Sequence, residues 1–295
     1  MSNILTHESS EVLLKKMESR MGVLIHAGAM ADREDVSETV TAASHHLGSG
    51  GQRVRARLAL HAGSALGLEA NDVLSIATTV ELLHNASLVH DDLQDRELLR
   101  RGMKTIWSAY GDNVALCVGD LMISAAYGSL CSFGILQYLP DLITLVHERT
   151  AMVIRGQCCE LSAKGHRVND FAFYEKIAIA KSGSLISLPL EMAFLGSGMK
   201  PWIEKARSAA EDFAIGYQIA DDIEDLERDA GDGGGPRSVN ALLVLEAGGH
   251  GKNAPAIARE FGLRRLRSSA EAAERLPNGS GSYLRDISLA LCARL

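Results

Sequence analysis

Leu13, Leu14, Met17 and Met21 recur at three- and four-residue steps, a spacing that gathers them on one broad face of a helix over Glu11 to Ala31. Gly48-Ser49-Gly50-Gly51 predicts a flexible turn. A helix follows from Val54 to Leu66. After Gly67 another, capped by Asn71 or Asp72, runs from Val73 into an acid-rich stretch at residue 91. Trp107 to Asn113 reads as a connection. Helices are then expected over Val114 to Tyr127, Asp141 to Ser162, Tyr174 to Leu195, Lys205 to Asp225, Val239 to Leu245, Ala254 to Phe261 and Ser280 to Arg294. No strand-turn-strand rhythm interrupts them. Gly231-Asp232-Gly233-Gly234-Gly235-Pro236 predicts a loop, because no regular element tolerates four glycines followed by proline. No second-domain boundary is visible, so residues 1–295 read as one all-α domain, a bundle of about ten or more helices, with 226–238 as a flexible loop.

Composition supports helices. Of 295 residues 46% are apolar and only 5% aromatic, with Ala, Leu, Glu and Arg recurring and β-branched runs short. The net charge of −7 and the lack of a basic stripe argue against nucleic acid as a partner. Leu121 to Leu139 is a 19-residue run without a charged side chain, long enough in principle to cross a bilayer. Gly128, Gly134, several polar side chains and Asp120 at its entrance favour a core helix over a membrane span. Five cysteines without CxxC spacing are expected to be reduced, buried thiols. Met1 to Ser10 lacks the apolar core of a signal peptide, so a cytoplasmic protein is expected.

Chemistry concentrates in two stretches of the same layout. Asp91-Asp92-Leu93-Gln94-Asp95 is followed by Arg100-Arg101-Gly102, and Asp221-Asp222-Ile223-Glu224-Asp225 comes 130 residues after the first. On a helix, Asp91 with Asp95 and Asp221 with Asp225 fall one turn apart on one face. Like charges on adjacent turns repel by a few tenths of a kcal/mol. A divalent cation relieves that repulsion, and magnesium characteristically joins one or two carboxylates to a phosphate. The two arginines offer donor forks matched to phosphate oxygens. A solvated acidic face balanced by arginine is the plainer alternative. The apolar residues upstream, Val80 to Val89 and Ala214 to Ala220, speak against it by placing both clusters at the ends of buried helices.

Glu81-Leu82-Leu83-His84-Asn85-Ala86-Ser87-Leu88-Val89-His90-Asp91-Asp92, running on to Arg100-Arg101-Gly102, resembles the first aspartate-rich motif of the trans-prenyl (polyprenyl) diphosphate synthases. Gly216-Tyr217-Gln218-Ile219-Ala220-Asp221-Asp222 resembles their second, and the likeness extends from about Gly50 to Asp225. It implies helices around a deep central cavity, a homodimer, and an enzyme that joins an allylic diphosphate to isopentenyl diphosphate. It further implies Mg²⁺, three ions per site with diphosphate bound, held by Asp91, Asp92, Asp95, Asp221, Asp222 and Asp225. Arg100, Lys181 beside Ser182, and Gln218 match contacts to the allylic diphosphate. Gln52, Arg55, His84 and Arg101 match the isopentenyl diphosphate pocket. The catalytic set implied is Asp91, Asp92, Asp95, Arg100, Lys181, Gln218, Asp221 and Asp222. Ala86 and Ser87, five and four residues before Asp91, take the positions where large side chains stop chain growth, and both are small. Met122 and Tyr127 are alternative floors.

Two departures concern phosphate contacts. Gln52 stands where the family has lysine, a loss of about 1–3 kcal/mol in diphosphate binding unless Arg53 or Arg57 compensates. No lysine occurs between Lys205 and Lys252, which leaves Arg228 or Arg237 for the family's downstream lysine. These departures favour a class I terpene cyclase, which ionises the same substrate without an acceptor. The aspartate-rich second cluster and Arg100-Arg101 favour the synthase. A non-catalytic subunit of a heteromeric synthase is the third reading, and it has no need of two intact acidic clusters.

Overall fold

The computed structural model describes residues 10–27, 38–226 and 238–295, and the architecture there is all-α. The glycine-rich loop with Arg228 and Arg237 falls outside the described residues. Two compact units divide the chain: one takes the described residues up to 60 with 68–143, the other 61–67 with 144–295.

The first unit carries α1 (Ser10–His26), α2 (Glu38–Gly48), most of α3 (Val54–Ala65), α4 (Ala70–Asp95), a hairpin of β1 (Leu99–Arg100) and β2 (Met103–Lys104), α5 (Ile106–Tyr110) and α6 (Asp112–Leu130). α4 is its axis. Val73, Ile76, Val80, Leu83, Ala86, Val89 and Leu93 form the buried stripe that makes this stretch helical. Small polar residues let α6 approach closely: Ser75 Oγ donates to the Ser129 carbonyl at 2.5 Å, and Ser129 Oγ returns a bond to the Ser75 carbonyl at 3.1 Å. Asp72, expected as a cap, lies inside the helix and is buried, its carboxylate accepting the Gly134 amide at 2.6 Å. The helix starts earlier because Glu69 takes the cap position.

The second unit carries α7 (Leu139–Ala163) from Thr144 on, α8 (Phe171–Ala178), a π turn (Ile179–Gly183), α9 (Ser184–Gly196), α10 (Ile203–Glu224), α11 (Ala241–Leu245), α12 (Ala254–Glu274) and α13 (Ser282–Arg294). Tyr174, Ile177, Ile215, Ile219, Leu242, Val244 and Ala258 share its core. Glu191, fully buried on α9, is held by Arg149 at 2.8 and 2.7 Å and by Arg207 at 2.9 Å, the pairing a buried charge requires.

Two further expectations change. The uncharged run 121–139 is not one helix, since α6 ends at Leu130 and a turn and a short 3₁₀ segment precede α7. Asp112–Leu130 and Phe171–Gly196 are each long and apolar enough to cross a membrane, and 78% of the latter's most apolar window is packed inside the protein. Cys117, Cys131, Cys158 and Cys159 are exposed rather than buried, and Cys292 is half-buried, because they fall on the outward faces of their helices or in the turn after α6.

Candidate diphosphate and cation site

The end of α4 sets the first cluster. Arg96 adopts left-handed backbone at φ 57° and stops the helix, its amide bonded to the Asp92 carbonyl. Its guanidinium reaches Asp112 at 2.8 Å and lies 5.0 Å over the Trp107 ring. The chain then turns back through the hairpin, whose two-residue loop is Arg101-Gly102, both at positive φ (52° and 78°). That is the primed turn whose twist matches paired strands, and Gly102 suits it without strain.

The hairpin returns Arg100 to the helix it left. Arg100 Nε bonds both Asp92 oxygens at 2.9 Å and its Nη2 bonds Oδ1 at 2.7 Å. Burial pushes the Asp92 carboxyl above its usual range, against the pull of Arg100. Asp92 is 2% exposed, whereas Asp95 is exposed and Asp91 half-buried. The structure therefore gives Asp92 to Arg100, and the outward pair one turn apart is Asp91 with Asp95.

Arg101, at the turn, donates to the Gly50 carbonyl, and its guanidinium lies so near Gly51 that a side-chain carbon there would come within 2.7 Å of Nη1. Arg55, Arg100 and Arg101 all act on His84, whose Nδ1 is shut off from solvent without a hydrogen-bond partner. Burial, followed by those guanidinium groups, holds His84 neutral, well below its ordinary range. His46, 5% exposed, is lowered to about 4 by burial and then Arg100. Neutral imidazoles packed among cations fit a pocket for an anion. Gln52 is exposed. Of the two proposed substitutes, Arg53 is bound by Glu18 and Glu81, each at 3.1 Å, and by the Leu47 carbonyl, while Arg57 is bound by Glu11 at 2.9 Å and the Gln52 carbonyl.

The second cluster ends α10 in the second unit. Asp221 is exposed, Asp225 half-buried, and Asp222 only 3% exposed. Gln218 Nε2 donates to Asp222 Oδ1 at 3.0 Å, and the Ala241 amide to Oδ2 at 2.8 Å. Ser182 Oγ reaches Gln218 at 3.2 Å, joining two of the sequence candidates directly. Lys181 sits in the π turn and pairs with Glu160 of α7. Gly156, one helical turn before Glu160, permits that approach, because a side-chain carbon there would lie 2.7 Å from Ala180 Cβ. Burial, reinforced by Asp222, raises the Tyr174 hydroxyl well above its ordinary range.

Among the described residues no three His, Cys, Asp or Glu side chains gather as a metal cage. Oxygen donors in pairs one turn apart, short of a full coordination shell, are what a hard dication uses when phosphate and water supply the rest. The clusters fit Mg²⁺ on that ground. Ala86 is fully buried on α4, and Ser87, half-buried, bonds the His84 carbonyl at 2.8 Å.

A polyprenyl synthetase family model matches residues 37–236. The chain belongs to that family. It is 28% identical over 218 residues to a short chain isoprenyl diphosphate synthase of Methanothermobacter thermautotrophicus, covering 71% of this chain and 67% of that protein. It is 31% identical over 208 residues to a (2E,6E)-farnesyl diphosphate synthase of Mycobacterium tuberculosis, covering 66% of this chain and only 57% of the relative. The fold matches the crystal structures of a geranyltranstransferase from Thermotoga maritima (TM-score 0.78, 23% identity, 96% and 99% coverage) and a decaprenyl diphosphate synthase from Rhodobacter capsulatus (0.79, 19%, 97% and 99%).

Within this polyprenyl synthetase chain, sequence reasoning missed His46, Glu160 and Tyr174. A signal existed for the inward aspartates. Leu82, Asn85, Val89 and Asp92 follow the buried helical period, as do Phe213, Gly216, Ile219 and Asp222.

Proposed function

We propose that this chain is a Mg²⁺-dependent prenyltransferase that condenses an allylic diphosphate with isopentenyl diphosphate, head to tail, into a longer trans-prenyl diphosphate. The observation that carries this reading is the first cluster: outward carboxylates Asp91 and Asp95 stand beside a hairpin that holds Arg100 and Arg101 next to the neutral His84. Carboxylates alone would suit a cation, and guanidinium groups alone an anion; together they suit a metal-bound diphosphate. Bound Mg²⁺ supplies Lewis-acid stabilisation of the charge that builds on the leaving diphosphate. Arg100 is oriented by Asp92, and Arg101 by the Gly50 carbonyl, so both are positioned before substrate arrives. In the second unit, Ser182, Gln218 and Asp222 form one hydrogen-bonded line below Asp221. The small residues Ala86 and Ser87 support products of fifteen to twenty carbons or longer.

The cyclase reading draws on one observation, that Arg53 and Arg57, the candidate substitutes for the charge missing at Gln52, are both paired with carboxylates. One incubation separates the readings: purified protein, Mg²⁺, an allylic diphosphate and labelled isopentenyl diphosphate. Labelled, elongated diphosphates are expected. Unlabelled hydrocarbons would establish the cyclase, and silence relieved by an added synthase would establish the subunit.

A further inference from the structure

Asn240 is fully buried at the start of α11, bordered by the core residues Val239 and Ala241. Its Nδ2 donates to the Asp222 backbone carbonyl at 2.8 Å, while its Oδ1 accepts from the Leu242 amide at 2.9 Å. The exchange is mutual, since the Ala241 amide donates to Asp222 Oδ2. The last carbonyls of one helix and the first amides of the next have no partners within their own helices. Here each end satisfies the other. The same final turn of α10 carries the bond from the Asp225 amide to the Asp221 carbonyl at 2.9 Å, so its register also sets how those two carboxylates stand. Helix ends fray, and like charges one turn apart favour fraying. A buried hydrogen bond outweighs a repulsion of that kind between solvated groups.

We propose that Asn240 is a positioning residue of the second acidic cluster. Its hold on the Asp222 carbonyl keeps the last turn of α10 in register, so Asp221 and Asp225 need little rearrangement to share a divalent cation. This inference rests on the reading of that cluster as a cation site.

The test uses inorganic pyrophosphate as the probe, with its binding titrated calorimetrically against Mg²⁺. Asn240→Ser keeps an oxygen to cap α11, removes the Nδ2 donor and adds no charge. Its Mg²⁺ midpoint rises about five- to tenfold, the worth of one buried hydrogen bond. Asn240→Asp, which turns a carboxylate toward the Asp222 carbonyl, shifts further in the same direction. Leu242→Ala trims the same short helix without touching Asp222, and lowers the melting temperature with the midpoint unmoved. An unchanged midpoint in Asn240→Ser, or an equal shift in Leu242→Ala, overturns the positioning role alone. Wild-type protein that binds no pyrophosphate at any Mg²⁺ concentration overturns the parent reading, and this inference with it.

Discussion

Asp92 and Asp222 hold the same place in two motifs of one layout, yet among the described residues different groups hold them. Asp92 is gripped by a cation, with Arg100 contacting both oxygens. Among the described residues Asp222 accepts from two neutral donors, the Gln218 amide and the Ala241 backbone. The first arrangement brings guanidinium groups to the cluster and so prepares it for an anion. The second supplies two neutral donors among the described residues, and Lys181 of the same unit is paired with Glu160. Motifs alike in letters thus differ in the described contacts of their second aspartate, a guanidinium in the first unit and neutral donors in the second.

Removing the grip on each side gives the largest effect. Arg100→Ala strands a carboxylate that is 2% exposed and costs about 3–5 kcal/mol, whereas Gln218→Ala removes a neutral bond and costs about 1–3 kcal/mol. Denaturant unfolding of both variants measures the gap, and equal losses would erase the distinction.

The cationic neighbourhood should also show in acid. His46 has a folded value of about 4, depressed below its unfolded 6.5, so the unfolded chain binds the extra proton in that window. Stability from this residue is present above pH 6.5 and is lost as pH falls toward 4, up to about 3 kcal/mol in all. Burial of neutral His84 adds to the loss in the same direction. His46→Gln flattens the slope of unfolding free energy against pH between 4 and 6.5; a slope identical to wild type would remove His46 from the account.

Ala86→Phe probes α4 just before the first cluster. The site is fully buried, so overpacking costs about 1–3 kcal/mol, and a product assay on the folded fraction should show shorter chains. Unchanged product length rejects residue 86 as the floor. The smallest effect is Gln52→Lys, which adds a charge at an exposed position and, on the proposed reading, tightens isopentenyl diphosphate by about 1 kcal/mol, near fivefold in Kd. No tightening would mean that the acceptor phosphate does not approach residue 52.

Buried stripes were the legible part of this chain. α3 and α10 begin and end within two residues of expectation because apolar periodicity marks them. α12 was expected to stop at Phe261 and runs to Glu274, since Arg264, Arg265, Arg267 and Glu271 make its outer face polar enough to hide the period. The Leu99–Lys104 hairpin, with two residues per strand, is too short for any alternation to register. At the site, the spacing of the aspartates disclosed the outward pairs. That spacing alone did not disclose that the second aspartate of each cluster turns inward, which only the apolar period of each helix marks. Asn240 before an apolar run carried a cap signature, but its bond to Asp222 joins residues eighteen apart and leaves no local trace.

On the proposed reading, the Arg101 turn sets thermal robustness against diphosphate binding. An arginine held at φ 52° sits in a backbone region that costs a side-chain-bearing residue about 1–2 kcal/mol, and glycine or asparagine would relieve it. A library screened for heat resistance will therefore enrich Arg101→Gly and Arg101→Asn, while one screened for turnover will purge both.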